Sequence, residues 1–136
     1  MRTACIAVSL LNKPAGQALN RRFAGSHKNE PRMETIAFRM VLNPGMRDEY
    51  ARRHRELWPE LAQALREAGV HDYSIFLDEA TNHLLAVLKR EPDHTMDRLP
   101  QLAVMRRWWD YMADIMQTEA DGAPATTRLV EVFHLP

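Results

Sequence analysis

"YSIFLDEATNHLLAVLKR", residues 73–90, decides how the rest of the chain is read. Two runs rich in strand formers, 73–78 and 83–90, flank the polar tetrapeptide "EATN", which is the pattern of a β-hairpin. Upstream, "TIAFRMVL" (35–42) alternates with Ile36, Phe38, Met40 and Leu42 on one face, so a third strand is predicted there. Asn43-Pro44-Gly45 is turn chemistry. From about Met46 the spacing of Tyr50, His54, Leu57, Leu61 and Leu65 predicts a helix. Pro59 lacks an N–H and crowds the preceding turn, so this helix should kink or restart at Trp58, and Gly69 suits its C-terminal cap.

Downstream of the hairpin, Pro92 and Asp93 open a second helical region, strongly amphipathic from Leu102 to Met116. "DGAPATT" (121–127) reads as a loop and "RLVEVFHL" (128–135) as a last strand. The order strand, helix, strand, strand, helix, strand is the split βαβ arrangement: an α+β, ferredoxin-like fold with one four-stranded antiparallel sheet. Two helices cover one face of such a sheet. Thr35, Val41, Leu85, Val87, Val130 and Val132 give the second face apolar character too, which predicts a homodimer of the dimeric α/β barrel type, joined sheet to sheet.

Composition narrows the function. The 136 residues suit one domain with a modest core. Lys plus Arg and Asp plus Glu both number 18, and this balance argues against nucleic acid as a partner. No apolar run approaches the roughly 20 residues that span a bilayer, so no membrane partner is expected. One cysteine, Cys5, allows no intrachain disulfide and no thiolate metal cage, and points to a reducing, cytoplasmic setting. Residues 1–32 differ from the rest: a short apolar patch gives way to small, polar and charged residues. The patch is barely long enough for a secretory signal and contains Ser9. The expectation is a disordered or dispensable extension, with a single domain over 33–136.

Two clusters carry possible chemistry. In "MRRWWDYM" (105–112), Trp108 and Trp109 sit about 100° apart on a helix and straddle the centre of a broad apolar arc. Both could simply widen the core contact, or the helix could line a pocket. Indole suits a sugar, since its flat face covers C–H bonds while its N–H finds an oxygen. In "EYARRHRELWPEL" (49–61), Tyr50 and His54 stand one above the other on one side of the helix. Histidine, with an ordinary pKa of about 6.5, can give and take protons near neutrality. The run Arg52-Arg53-His54-Arg55 otherwise reads as a solvated flank, and adjacent His71 and Asp72 as a hydrogen-bonded surface pair. No metal-binding pairing of histidines and no phosphate-cradling glycine motif is present, so no cofactor and no metal are expected.

Taken together, "YARRHRELWPEL", "GVHDYSIFLD", "RRWWDYM" and the ending "EVFHLP" resemble the L-rhamnose mutarotase family, over Met33 to Pro136. The resemblance implies a small dimeric enzyme that interconverts the α and β anomers of L-rhamnose without metal or cofactor. It further implies that His54 is the proton donor and that Tyr50, Tyr73, Trp108 and Trp109 bind the sugar. Phe76 is a departure, standing where a tyrosine would also be at home. The competing expectations are a small dimeric α/β-barrel monooxygenase and a non-catalytic sugar-binding module, because fold does not fix function.

Overall fold

The computed structural model describes residues 32–136; the expectation for the N-terminal extension therefore lies almost wholly outside the described residues. β1 (Glu34–Val41) pairs with β3 (His83–Arg90) on one side and β4 (Thr127–Leu129) on the other, and β2 (Val70–Asp78) pairs with β3. All pairs are antiparallel and the sheet order is β2-β3-β1-β4, the ferredoxin-like arrangement expected from the order of elements.

The alternation in β1 and β3 sorts their side chains as expected. Ile36, Phe38 and Met40 on β1, and Leu84, Ala86 and Leu88 on β3, are all buried on the inner face. Two helices, α1 (Arg47–Arg55) and α2 (Pro59–Glu67), follow β1, separated where Pro59 restarts the helix. Trp58 is extended (φ −62°, ψ 130°) and Pro59 sits at the first helical position, where its missing N–H is harmless. Gly69 follows α2 at φ +89°, the left-handed conformation that glycine alone adopts without a Cβ penalty.

β2 begins earlier than its apolar run suggests. Between His71 and Ser74 it carries one more residue than β3 does, a β-bulge, and Asp72 lies in the left-handed region at φ +46°. The extra residue changes which way the strand faces. Tyr73 is three positions beyond Val70, an odd number, so a regular strand would send them to opposite faces. With the bulge, buried Val70 and the positions 73, 75 and 77 share the inner face. Asp72 approaches Lys89 at 3.5 Å and His71 bonds Glu91 at 2.9 Å, so the expected His71–Asp72 pair does not form.

Two further expectations are corrected. The second helical region is a 3₁₀ segment (Met96–Gln101) containing Pro100, then α3 (Ala103–Met112), which stops four residues short of Met116. Beyond it the backbone turns to the end of the sheet: Asn43 N–H donates to Ile115 O at 2.9 Å and Gln117 N–H to Val41 O at 2.9 Å. The last strand is only three residues long. After Leu129 the chain leaves β1, and Val130, Val132, Phe133 and Leu135 are 82%, 94%, 77% and 78% exposed.

No helix among the described residues covers the outer face of the sheet. Phe76 (61% exposed) and Leu85 (37%) form a cross-strand pair there, next to Arg39 on β1. The Arg39 Nη2 approaches Thr127 Oγ1 at 3.4 Å, and its buried Nε has no hydrogen-bond partner among the described residues.

Candidate active site

Arg47, Tyr50 and His54 lie at i, i+3 and i+7 on α1 and so form one stripe along the helix. That stripe lines a cavity of about 580 Å³ between the helices and the inner face of the sheet, within the usual range for small-molecule sites. Tyr73, Trp108 and Trp109 line the same cavity. All five residues singled out in the sequence therefore face one space, although they come from α1, β2 and α3.

The imidazole of His54 is held on three sides. Its Nδ1 lies 2.9 Å from the carbonyl oxygen of Tyr50, one turn back. A carbonyl can only accept, so Nδ1 carries the proton, and in the neutral ring Nε2 carries the lone pair. The Tyr50 ring stacks on it (4.2 Å between centroids, 27°), and Trp108 meets it edge-on (5.3 Å, 89°). Burial lowers the His54 pKa below its ordinary value, partly opposed by the hydrogen bond to Tyr50 O. The resting side chain is thus the neutral base.

Both tyrosines are pushed the other way. Burial, with Tyr73 nearby, raises the Tyr50 phenol far above its usual value. Tyr73 is 39% exposed over the whole side chain, yet its hydroxyl end is enclosed and the phenol rises to about 12. Each stays protonated near neutral pH and serves as a hydrogen-bond donor.

The two indoles differ in burial. Trp108 is 7% exposed and sits in an aromatic cluster, 5.2 Å from Trp58 and 5.7 Å from Tyr111. Trp109 is half-buried, packed at the margin of the core. The cavity is thus lined by one indole packed among aromatic neighbours and one at the core's margin.

Arg53 was not legible as a structural residue. Far from lying on a solvated flank, it is 8% exposed and clamps α1 to the end of α3. Its guanidinium bonds Asp114 at 2.8 and 3.1 Å, Glu49 at 2.8 Å and the Tyr111 carbonyl, with its centre 4.3 Å from the Tyr111 ring. These contacts fix the rotation of α1 against α3, and with it the angle between His54 and Trp108. Only the Glu49–Arg53 spacing of four residues hinted at this.

Two more polar residues line the cavity without having been expected there. Arg47 pairs with Glu79 in the turn between β2 and β3. Thr126, just before β4, has a hydroxyl that is shut off from solvent and makes no hydrogen bond among the described residues. Stranding a hydroxyl in this way costs about 1–3 kcal/mol. No group of three His, Cys, Asp or Glu side chains among the described residues is placed to hold a metal ion, and no described helix is long and apolar enough to cross a membrane.

Comparison with known proteins shows the family. The family model for L-rhamnose mutarotase matches residues 35–135. A protein named L-rhamnose mutarotase from Burkholderia ambifaria (strain MC40-6) is 68% identical over 104 residues, which is 76% of this chain and 100% of that one. Its namesake from Paraburkholderia phymatum is 67% identical over 103 residues, covering 76% of this chain and 95% of the relative. The crystal structure of the L-rhamnose mutarotase from Formosa agariphila superimposes with a TM-score of 0.70 at 46% identity, over 76% of this chain and 99% of that one. The chain belongs to the L-rhamnose mutarotase family.

Proposed function

We propose that this protein interconverts the α and β anomers of L-rhamnose, with His54 carrying the proton and Tyr50, Tyr73, Trp108 and Trp109 holding the sugar. Ring opening needs a proton removed from the anomeric hydroxyl and one delivered to the ring oxygen. Both oxygens are bonded to the anomeric carbon, so one imidazole can reach both. Neutral His54 accepts the hydroxyl proton at Nε2, leaving an alkoxide on the anomeric carbon. As its C–O double bond forms the ring C–O bond breaks, and the imidazolium returns the proton to the ring oxygen. The free aldehyde turns about its bond to the next carbon, and the same steps in reverse close the ring from the other face. Atoms and charge balance without a second proton carrier. The tyrosines, whose phenols are held well above the working pH, orient the sugar through hydrogen bonds. General acid–base catalysis of this kind supplies roughly 10²–10⁴-fold.

The observation that carries this reading is the neutral, tautomer-fixed imidazole on the wall of an aromatic cavity, in a chain of this family. Exchange spectroscopy on equilibrated L-rhamnose tests it. Magnetisation should pass between the anomer signals in the presence of the protein and not in its absence. A monooxygenase or a sugar-binding module would transfer none.

The same reading includes a homodimer in the cytoplasm. The uncovered Phe76–Leu85 face and the exposed apolar residues after β4 support the dimer, and the single cysteine is in keeping with a reducing compartment. It also treats residues 1–32 as dispensable: the family match begins at residue 35, and a chain starting at Met33 should exchange the anomers at the full rate.

A further inference from the structure

We propose that Thr126 is a further sugar-binding residue, whose hydroxyl bonds a ring hydroxyl of the substrate away from the anomeric carbon. The inference rests on the mutarotase reading above. Thr126 directly precedes β4, and its neighbour Thr127 bonds Arg39 on the outer face, so alternation turns Thr126 to the inner face beside Met40. It lines the same cavity as His54.

Its hydroxyl oxygen is sealed from solvent and unpartnered where it stands, although buried hydroxyls in folded proteins nearly always find a partner. No backbone or side-chain group of the described residues supplies one. The cavity does so once a polyhydroxylated ligand fills it. Threonine is β-branched, so rotation about χ1 between staggered wells moves the hydroxyl while keeping the side chain's bulk in place. A sugar hydroxyl can thereby complete the bond that the empty protein leaves unmade.

Position determines which part of the sugar is read. β4 and β2 are the two opposite edges of the sheet. Tyr73 comes from the β2 edge, and His54 on α1 marks the reacting end in the reading above. Thr126 approaches from the β4 edge, beside Pro124 and Ala123 of the preceding loop, which line the cavity too. A contact there holds substrate and transition state alike. Its loss should raise KM and leave kcat in place.

The test uses Thr126→Val, which keeps shape and removes the hydroxyl, and Thr126→Ser, which keeps the hydroxyl. Exchange rates across a series of L-rhamnose concentrations give kcat and KM, and thermal unfolding without sugar gives Tm. The expected result is a KM raised about 3- to 10-fold in the Val variant, the loss of one neutral hydrogen bond. Its kcat should stay within about twofold and its Tm should be unchanged or higher, while the Ser variant keeps a KM near that of the wild type. A monodeoxy-L-rhamnose lacking the contacted hydroxyl should show no difference between the Val variant and the wild type. An unchanged KM in the Val variant overturns the assignment. So does a lower Tm restored by Ser with KM constant, which would make the hydroxyl a structural bond. If the wild type itself exchanges no anomers, the mutarotase reading and this assignment fall together. If the wild type is active and the Val variant matches it, the assignment alone falls.

Discussion

The two faces of the sheet are both apolar, yet only one of them has been enclosed. On the inner face, Ile36, Phe38, Leu84 and Leu88 lie under α1, α2 and α3, and the space left over is the cavity of His54. On the outer face, Phe76 and Leu85 remain in contact with solvent, and Arg39 stands among them with an Nε that has no partner among the described residues. Apolar composition alone therefore does not say where chemistry happens. The difference lies in what covers each face: helices that bring polar groups to a confined space on one side, nothing among the described residues on the other.

That contrast can be broken by mutation. The largest effect is expected at His54. His54→Asn should lower the anomer exchange rate by roughly 10²–10⁴-fold while unfolding at nearly the wild-type temperature, because polarity and much of the shape are kept. Exchange by this variant at close to the wild-type rate would remove the proposed mechanism whatever the fold.

Next in size is a pair of cross-face truncations. Ile36→Ala, at a site 3% exposed on the inner face, should destabilise by about 2–5 kcal/mol in denaturant unfolding. Leu85→Ala, at 37% exposure on the outer face, should cost less than about 1 kcal/mol in the isolated chain. Joint replacement of Phe76 and Leu85 by serine should halve the mass seen by light scattering at micromolar concentration and leave the exchange rate per chain within about threefold. Similar losses of stability at Ile36 and Leu85 would erase the distinction between the faces.

The indoles should separate more gently. Trp108→Phe should cost about 1 kcal/mol or more, because its ring is packed by Trp58, Tyr111 and His54, and it should weaken sugar binding as well. Trp109→Phe should weaken binding with little change in Tm. If neither change alters affinity, the indoles have no place in the binding site.

The smallest effect is a shift along the pH axis. Burial depresses the His54 pKa, so the folded protein binds fewer protons than the unfolded chain just below about pH 6.5. The stability tied to the neutral ring is complete above that value and is lost as pH falls through the lower, folded pKa. Activity should fall in the same direction, since an imidazolium cannot accept the anomeric proton. A rate–pH profile with its midpoint below 6.5, absent from His54→Asn, is the expected outcome; a midpoint at or above 6.5 would contradict the burial argument.

Much of the inner face was legible because periodicity and covalent geometry are local. Alternation gave β1 and the hairpin, and the ring of Pro59 gave the break between α1 and α2. Tyr50 and His54 could be placed together from their spacing of four. What could not be read depends on partners distant in the chain. Residues 113–116 continue the helical pattern, but the end of β1 takes their backbone groups. Residues 130–135 alternate like a strand, yet strand propensity is realised only against a neighbour, and the described residues offer them none beyond Leu129. Arg53 looks like its solvated neighbours until Asp114, 61 residues away, is brought beside it. The orphaned hydroxyl of Thr126 is likewise a property of the folded surroundings.

The bulge at Asp72 marks a stretch of β2 where the gene can lose a codon without turning the strand over. On a regular strand a one-codon deletion sends every following side chain to the other face. Here the strand already carries one residue more than its partner. Val70 stands opposite Arg90 and Ser74 opposite Val87, so removing codon 72 makes the ladder one-to-one and keeps both pairings. The inner-face positions 70, 73, 75 and 77 stay together. Asp72→Gly instead keeps the bulge and relaxes a left-handed residue. Among descendants of this sequence, a change of length should therefore fall between His71 and Ser74 and not between Ser74 and Asp78, where it would exchange the faces of the residues beyond it.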